Sequence, residues 1–224
     1  MRARAWLFDL DNTLHDASFA SFSGINEGMT RYIVQTLEVS TDEAQALRQR
    51  YWQRYGATLL GLVRHHGIKA AHFLHHAHVL PGVEQRVYGH AHDLHALARL
   101  PGRRCILTNA PAAYTTRVLG VLGIAHLFHA VFSIEDMRMF GHWRPKPDAR
   151  MLRRMAVRLR VHPGQIVLVE DTLEHQKAAR RVGMRTVWMQ RWLRSPHAKA
   201  PRPGPRRPAY VDRRIRTLAA LRRG

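Results

Sequence analysis

Leu7-Phe8-Asp9-Leu10-Asp11-Asn12-Thr13-Leu14 is the stretch around which this 224-residue chain is read. Just before the acids, Ala5-Trp6-Leu7-Phe8 is a short apolar run, of the kind that forms a strand buried on both faces. Alternate strand residues point the same way, so Asp9 and Asp11 start from one face. The chain is predicted to turn at Asp11-Asn12, where Asp and Asn favour local side-chain to backbone bonds. Two carboxylates at the carboxyl end of a buried strand repel each other and need a compensating cation, and a hard divalent ion such as Mg2+ suits them. Taken alone, the pair also suits a strand end with two solvated acids. Three later stretches decide between these readings.

Bulk composition sets the frame. The length allows one α/β domain, or a core domain with a smaller insert. A hydrophobic content of 46% is enough for a proper core. The net charge is +20, and of the 36 basic residues only Lys69, Lys146, Lys177 and Lys199 are lysines. A basic surface attracts polyanions, so phosphorylated small molecules or, without sequence preference, nucleic acid are the expected partners. A coding bias toward arginine explains the charge equally well, because the arginines are scattered along the chain. The single cysteine, Cys105, sits in an apolar run and excludes an intrachain disulfide. No apolar stretch reaches the roughly 18 residues of a membrane span, and the N-terminus lacks a signal-peptide layout. The expectation is a cytoplasmic protein without a membrane partner; the sequence leaves its oligomeric state open.

Residues 17–80 read as helical, with Ile25, Met29, Tyr32, Ile33 and Leu37 at helical spacing. Ser40-Thr41-Asp42-Glu43 resembles a fresh helix start with acids in the first turn. That helix is expected to end at Gly56, and a shorter one at Gly67, with a break at Pro81-Gly82. From there the rhythm changes. Helices are predicted over 87–100, 112–122, 147–159 and 173–182, and strands over 104–108, 130–133, 166–169 and 186–189. Such alternation argues for an α/β fold, a parallel sheet with helices on both faces. The predicted division is a core of 1–14 and 83–224 and a helical insert of 15–82. Within the core, the Pro- and Arg-rich residues 193–208 read as a flexible basic loop, and 209–211 and 217–221 as a last edge strand and short helix.

A parallel sheet would bring four distant polar stretches to one edge: Asp9 and Asp11, Thr108-Asn109, Lys146 between Pro145 and Pro147, and Glu170-Asp171. The combination suits phosphoryl transfer, in which a carboxylate attacks phosphorus, a metal offsets negative charge, and a lysine and a hydroxyl hold the phosphoryl oxygens. Lys146 stands out because this chain writes most positive charge as arginine. A compact ammonium suits a point contact to carboxylate and phosphate.

Phe8-Asp-Leu-Asp-Asn-Thr-Leu14, Leu107-Thr108-Asn109, Lys146-Pro147 and Val169-Glu170-Asp171 resemble, in order and spacing, the four motifs of the haloacid dehalogenase-like hydrolase superfamily. Tyr55-Gly-Ala-Thr-Leu-Leu-Gly-Leu62 and Phe132-Ser-Ile-Glu-Asp136 are similar to segments of its pyrimidine 5'-nucleotidase branch. The resemblance covers about residues 5–190 and implies a Rossmann-like core of 1–14 and 83–224 with residues 15–82 as an inserted helical cap. It implies that Asp9 is the nucleophile and Asp11 the general acid and then base. It implies that Thr108 and Asn109 bind the phosphoryl group, and that Lys146 neutralises both Asp9 and phosphate. Mg2+ would be held by Asp9, the backbone carbonyl of Asp11 and Asp171, with Glu170 through water. An acid at Asp11 speaks against the dehalogenases of the superfamily, which lack one there. Two positions depart from the pattern: His15, where the branch usually has an aromatic residue, and His175, where many members carry an acid. In the cap, Tyr55, Gly56 and Thr58 are the candidate substrate contacts, although Tyr51 and Tyr55 also suit plain helix packing.

The implied activity is Mg2+-dependent phosphomonoester hydrolysis through an aspartyl-phosphate, with a pyrimidine nucleoside monophosphate as expected substrate. A sugar-phosphate phosphatase or phosphomutase of the same superfamily is one alternative, and a basic nucleic-acid-binding protein with a secondary site is another. His72 and His76, and His75 and His78, have spacings that suit zinc chelation from a helix, yet nothing nearby supplies a fixed third ligand. Solvated helix faces are the expected outcome there.

Overall fold

The computed structural model describes residues 5–194 and 207–222. The chain forms two compact units, one of residues 1–20 and 86–224 and one of residues 21–85.

In the first unit the apolar run becomes strand β1 (Ala5–Phe8), buried at every residue. It is joined by β2 (Arg103–Leu107), β3 (Ala130–Phe132), β6 (Ile166–Glu170), β7 (Arg185–Met189) and β8 (Arg213–Ile215). All pairings are parallel, in the order β3-β2-β1-β6-β7-β8. The chain therefore runs outward from β1 to β3 and returns to the other side of β1 at β6. The carboxyl ends of β2, β1 and β6 meet at this reversal, which is where open parallel sheets bind ligands. Alternation sorts the side chains. Leu7, Cys105, Leu107, Ile166 and Leu168 share one core with Met151, Leu152, Met155 and Ala156 of α9 (Ala149–Leu159) and Ala178 and Ala179 of α10 (Leu173–Arg181). Trp6, Phe8, Ile106, Val167 and Val169 point the other way and are also buried.

Three elements differ from expectation. The predicted helix over 87–100 shortens to α7 (Ala91–Ala98). At Gly89 a Cβ would lie 3.1 Å from Leu122 and 3.2 Å from the Leu14 carbonyl oxygen, so the chain is close-packed there, and residues 87–90 lie outside any helix. Helix α9 starts at Ala149, after Pro147, because Asp148 caps it by accepting from the backbone N–H of Arg150 and Met151. The last edge strand is 213–215, not 209–211. Thr186 binds the carbonyl of Tyr210 and both the carboxylate and backbone N–H of Asp212, so those residues turn before pairing starts. A hairpin of β4 (Arg138–Met139) and β5 (His142–Trp143) was not foreseen, since two-residue strands carry no periodicity. Its turn has positive φ at both Phe140 (50°) and Gly141 (79°).

The second unit is helical: α2 (Phe22–Leu37), α3 (Thr41–Tyr55), α4 (Thr58–His66) and α5 (Ala70–Ala77). Ser40 and Glu43 form a reciprocal capping box, and Gly56 and Gly67 close α3 and α4 in left-handed conformation. The unit starts at 21 rather than 15, because residues 11–18 fold back on themselves. Asn12, at φ 54°, accepts from the Ser18 backbone N–H at 3.0 Å and donates to its hydroxyl at 3.0 Å. Of the basic loop predicted over 193–208, residues 195–206 lie outside the described residues. Among the described residues no helix is long and apolar enough to cross a membrane.

Candidate active site

The sheet edge gathers the predicted acids around one lysine. Asp9 extends β1 by one rung, its N–H donating to the Val169 carbonyl at 3.0 Å. Glu170 ends β6 beside it. Lys146 Nζ lies 2.6 Å from Asp9 Oδ1 and 2.7 Å from Glu170 Oε2, and all three residues are buried. The lysine backbone is clamped by Asn109, whose Nδ2 donates to the Lys146 carbonyl and whose Oδ1 accepts its N–H, both at 2.9 Å. The Asn109 amide is thus committed to placing the lysine. Thr108, fully buried at the end of β2, accepts at Oγ1 from the Ala110 N–H at 3.1 Å.

Burial and charge set the protonation of these groups. Burial, with Glu170 nearby, raises the Asp9 carboxyl, and Lys146 only partly offsets this, leaving it at about 6. Burial and the carboxylates of Glu170 and Asp9 hold Asp171 well above the usual range. Burial would raise Glu170 too, but Lys146 and His175 outweigh it and drive its carboxyl strongly down. For Lys146, burial is outweighed by Asp9 and Glu170, so the ammonium stays charged. Burial first, and then three carboxyls against one ammonium, explain why Asp9 and Asp171 resist ionisation.

The sequence model of the haloacid dehalogenase-like hydrolase family matches residues 3–183. The chain belongs to this family. It is a hydrolase of the α/β Rossmann-like type. Solved structures with the same fold include a HAD phosphatase from Thermococcus onnurineus (22% identity, TM-score 0.64, covering 100% of this chain and 97% of that one). An L-2-haloacid dehalogenase from Xanthobacter autotrophicus is 18% identical, with TM-score 0.59 and coverage of 99% and 97%. The HAD-hydrolase YfnB from Bacillus subtilis, solved bound to magnesium, is 17% identical, with TM-score 0.59 and coverage of 100% and 98%. At these identities the likeness concerns the fold.

Members of the superfamily generally use Mg2+, and the acidic side chains present here could hold such an ion. Asp9, Glu170 and Asp171 offer ligand oxygens within 4.8 Å of one another, the sole group of three or more metal-ligating side chains among the described residues. The donors are all hard oxygens, as Mg2+ requires. A divalent ion would offset the burial and repulsion that keep Asp9 and Asp171 from ionising. Glu170 is already engaged, by Lys146 and His175 at Oε2 and by the Thr172 N–H at Oε1. The His-rich stretch has other occupations: the Tyr32 hydroxyl meets His72 Nδ1 at 2.9 Å, and His76 Nδ1 meets the His72 carbonyl at 2.8 Å.

Several supporting residues escaped sequence reading. The Thr13 hydroxyl donates to Asp9 Oδ2 at 3.1 Å, a contact the DxDxT spacing could have suggested. Gln176, buried on α10, donates to the Glu170 and Val187 carbonyls at 2.8 and 2.7 Å, tying the ends of β6 and β7. Trp188 Nε1 donates to the Asp171 carbonyl at 2.7 Å. Tyr114, on α8 (Ala112–Val121), donates to Asp11 Oδ1 at 2.8 Å, and no local signal points to it. Tyr55, Gly56 and Thr58 belong to the helical unit. There the Tyr55 hydroxyl meets His65 Nε2 at 2.6 Å, Gly56 closes α3, and the Thr58 hydroxyl donates to the Arg48 carbonyl at 3.2 Å.

Proposed function

We propose that the chain is a Mg2+-dependent phosphomonoester hydrolase, acting on a pyrimidine nucleoside monophosphate in the cytoplasm. The observation that carries the reading is a pair of unlike carboxylates two residues apart. Asp9 is buried against an ammonium, whereas Asp11 is partly exposed and held by hydrogen bonds. The ammonium in contact with Asp9 favours the ionised form that attack requires, and a second acid two residues on can carry the proton. A dehalogenase mechanism has no use for the second acid.

In this reading a carboxylate oxygen of Asp9 forms a bond to phosphorus as the bond to the leaving oxygen breaks. Asp11 gives its proton to the departing alkoxide. It then takes one from the water that attacks the aspartyl-phosphate, releasing inorganic phosphate and restoring Asp9. Lys146 lies against Asp9 and offsets charge on the transferring group. Thr108 and the backbone N–H of Asn109 hold phosphoryl oxygens, because the Asn109 side chain is occupied with Lys146. Asp9, Asp171 and the Asp11 carbonyl would hold Mg2+, with Glu170 behind them; the ion supplies charge neutralisation of the phosphoryl oxygens. The helical unit, inserted between β1 and β2, serves as the cap that selects the leaving group, with Tyr55, Gly56 and Thr58 as its contacts. The nucleotide assignment is supported by the similarity of Tyr55–Leu62 and Phe132–Asp136 to the nucleotidase branch.

The test is phosphate release from p-nitrophenyl phosphate and from nucleoside monophosphates and sugar phosphates. Activity is expected with Mg2+, is lost with EDTA, and falls on the order of 1000-fold or more in Asp9→Asn. Equal activity of wild type and Asp9→Asn overturns the reading. Preference for sugar phosphates retains the phosphatase and replaces the nucleotide.

A further inference from the structure

We infer that His15 and Tyr114 are positioning residues for Asp11: their two side chains converge on one carboxylate oxygen and so aim the other at the leaving group. The inference rests on the phosphatase reading above and names what makes Asp11 an effective acid.

The geometry is specific. His15 Nε2 lies 3.0 Å from Asp11 Oδ1, and the Tyr114 hydroxyl donates to that same oxygen at 2.8 Å. Both residues are buried, His15 completely, whereas the Asp11 side chain is 18% exposed. They come from unrelated places. His15 follows the tight turn after β1, where the Leu14 N–H returns to the Leu10 carbonyl at 2.9 Å. Tyr114 sits on α8, 103 residues along the chain from Asp11. A single hydrogen bond leaves a carboxylate free to swing about it, whereas two donors from separate elements fix its rotation.

The chemistry of the ring agrees. An ionised carboxylate only accepts, so the nitrogen facing Asp11 must carry the hydrogen. His15 Nδ1 is then left in the interior with no hydrogen-bond partner among the described residues. For packing alone, a leucine or phenylalanine would fill this space without stranding a polar nitrogen. The reason for an imidazole at this position is therefore its contact with Asp11. Aim matters because a proton donor displaced by about 1 Å can lose on the order of 100-fold in rate.

Leaving-group dependence separates positioning from a merely structural role. The parameter kcat/KM covers the steps through departure of the alcohol. An alkyl phosphate needs a proton from Asp11 at that point, and p-nitrophenolate leaves without one. In Tyr114→Phe and His15→Leu, kcat/KM for nucleoside monophosphates or glycerol phosphate is expected to fall about 10–100-fold, and for p-nitrophenyl phosphate no more than about 3-fold. His15→Gln, which keeps an amide donor at similar reach, should recover most of the loss. Should His15→Leu not fold, Tyr114→Phe keeps the ring and carries the same test. Equal losses on both substrate types, or none on the alkyl phosphates, overturn the positioning role. A wild type inactive on every phosphomonoester overturns the phosphatase reading itself.

Discussion

Lys146 decides the charge balance of the site. Its ammonium touches two buried carboxylates, and a third stands close by. Replacing it with methionine keeps the bulk of the stem and strands like charges in a buried place. Removal of one partner from a buried pair typically costs about 3–5 kcal/mol. Lys146→Met is therefore expected to unfold at markedly lower urea than wild type and to lose most activity. Denaturation midpoints and phosphate release check the two effects separately. Part of this residue's role was legible in sequence, because a lysine between prolines is conspicuous in an arginine-rich chain. Its backbone clamp was not: Asn109 is 37 positions away, and only the adjacency of β2 to the loop before α9 brings the two amides together.

At the scale of elements, glycines set how closely the helices of the inserted unit approach. A Cβ on Gly61 would lie 2.0 Å from the Tyr51 ring, where α3 crosses α4. On Gly28 it would lie 2.8 Å from the Ala77 carbonyl oxygen, where α2 crosses α5. The first clash is with a buried ring whose hydroxyl is held by His66 at 2.7 Å, so the ring has little room to retreat. Gly61→Ala is predicted to destabilise this unit by about 1–3 kcal/mol, the usual range for overpacking. Helix content followed by circular dichroism through thermal unfolding would show it. The helix itself was readable from its apolar spacing and its closing Gly67. The reason for a glycine inside it was not, because the ring that excludes a side chain sits on the preceding helix.

For the molecule as a whole, the acidic pocket links stability to pH and to metal. The Asp9 carboxyl moves from 3.8 to about 6 on folding, so its protonated form is favoured in the native state. Its contribution is fully present below 3.8 and is lost as pH rises through about 6. Asp171, shifted in the same direction, adds to this, while Glu170, shifted down, contributes above 4.5 and loses that only in strong acid. Histidine protonation acts on the whole protein over the same range, so the informative quantity is wild type minus Asp9→Asn. Without metal, this difference should favour wild type by roughly 1 kcal/mol more at pH 5 than at pH 7. Saturating Mg2+ should stabilise wild type near neutral pH, by about 2.7 kcal/mol at one hundred times its dissociation constant, and flatten the pH slope. Differential scanning fluorimetry with and without EDTA measures both. The excess positive charge lies almost entirely outside the inserted unit, since residues 21–85 hold six basic and five acidic residues.

The sequence by itself determined the family, the parallel α/β class and which acids and lysine are candidates for the site. A buried strand ending in carboxylates, repeated strand–helix alternation and the Lys-Pro pair are local patterns, and local patterns survive in one dimension. The start of α9 after its cap Asp148, the close-packed passage at Gly89 and the late edge strand depended on capping, close packing and side-chain bonds to a neighbouring strand. The two donors on Asp11 depended on where α8 packs. Those contacts exist only once distant segments share a boundary, so the tertiary structure alone decided them.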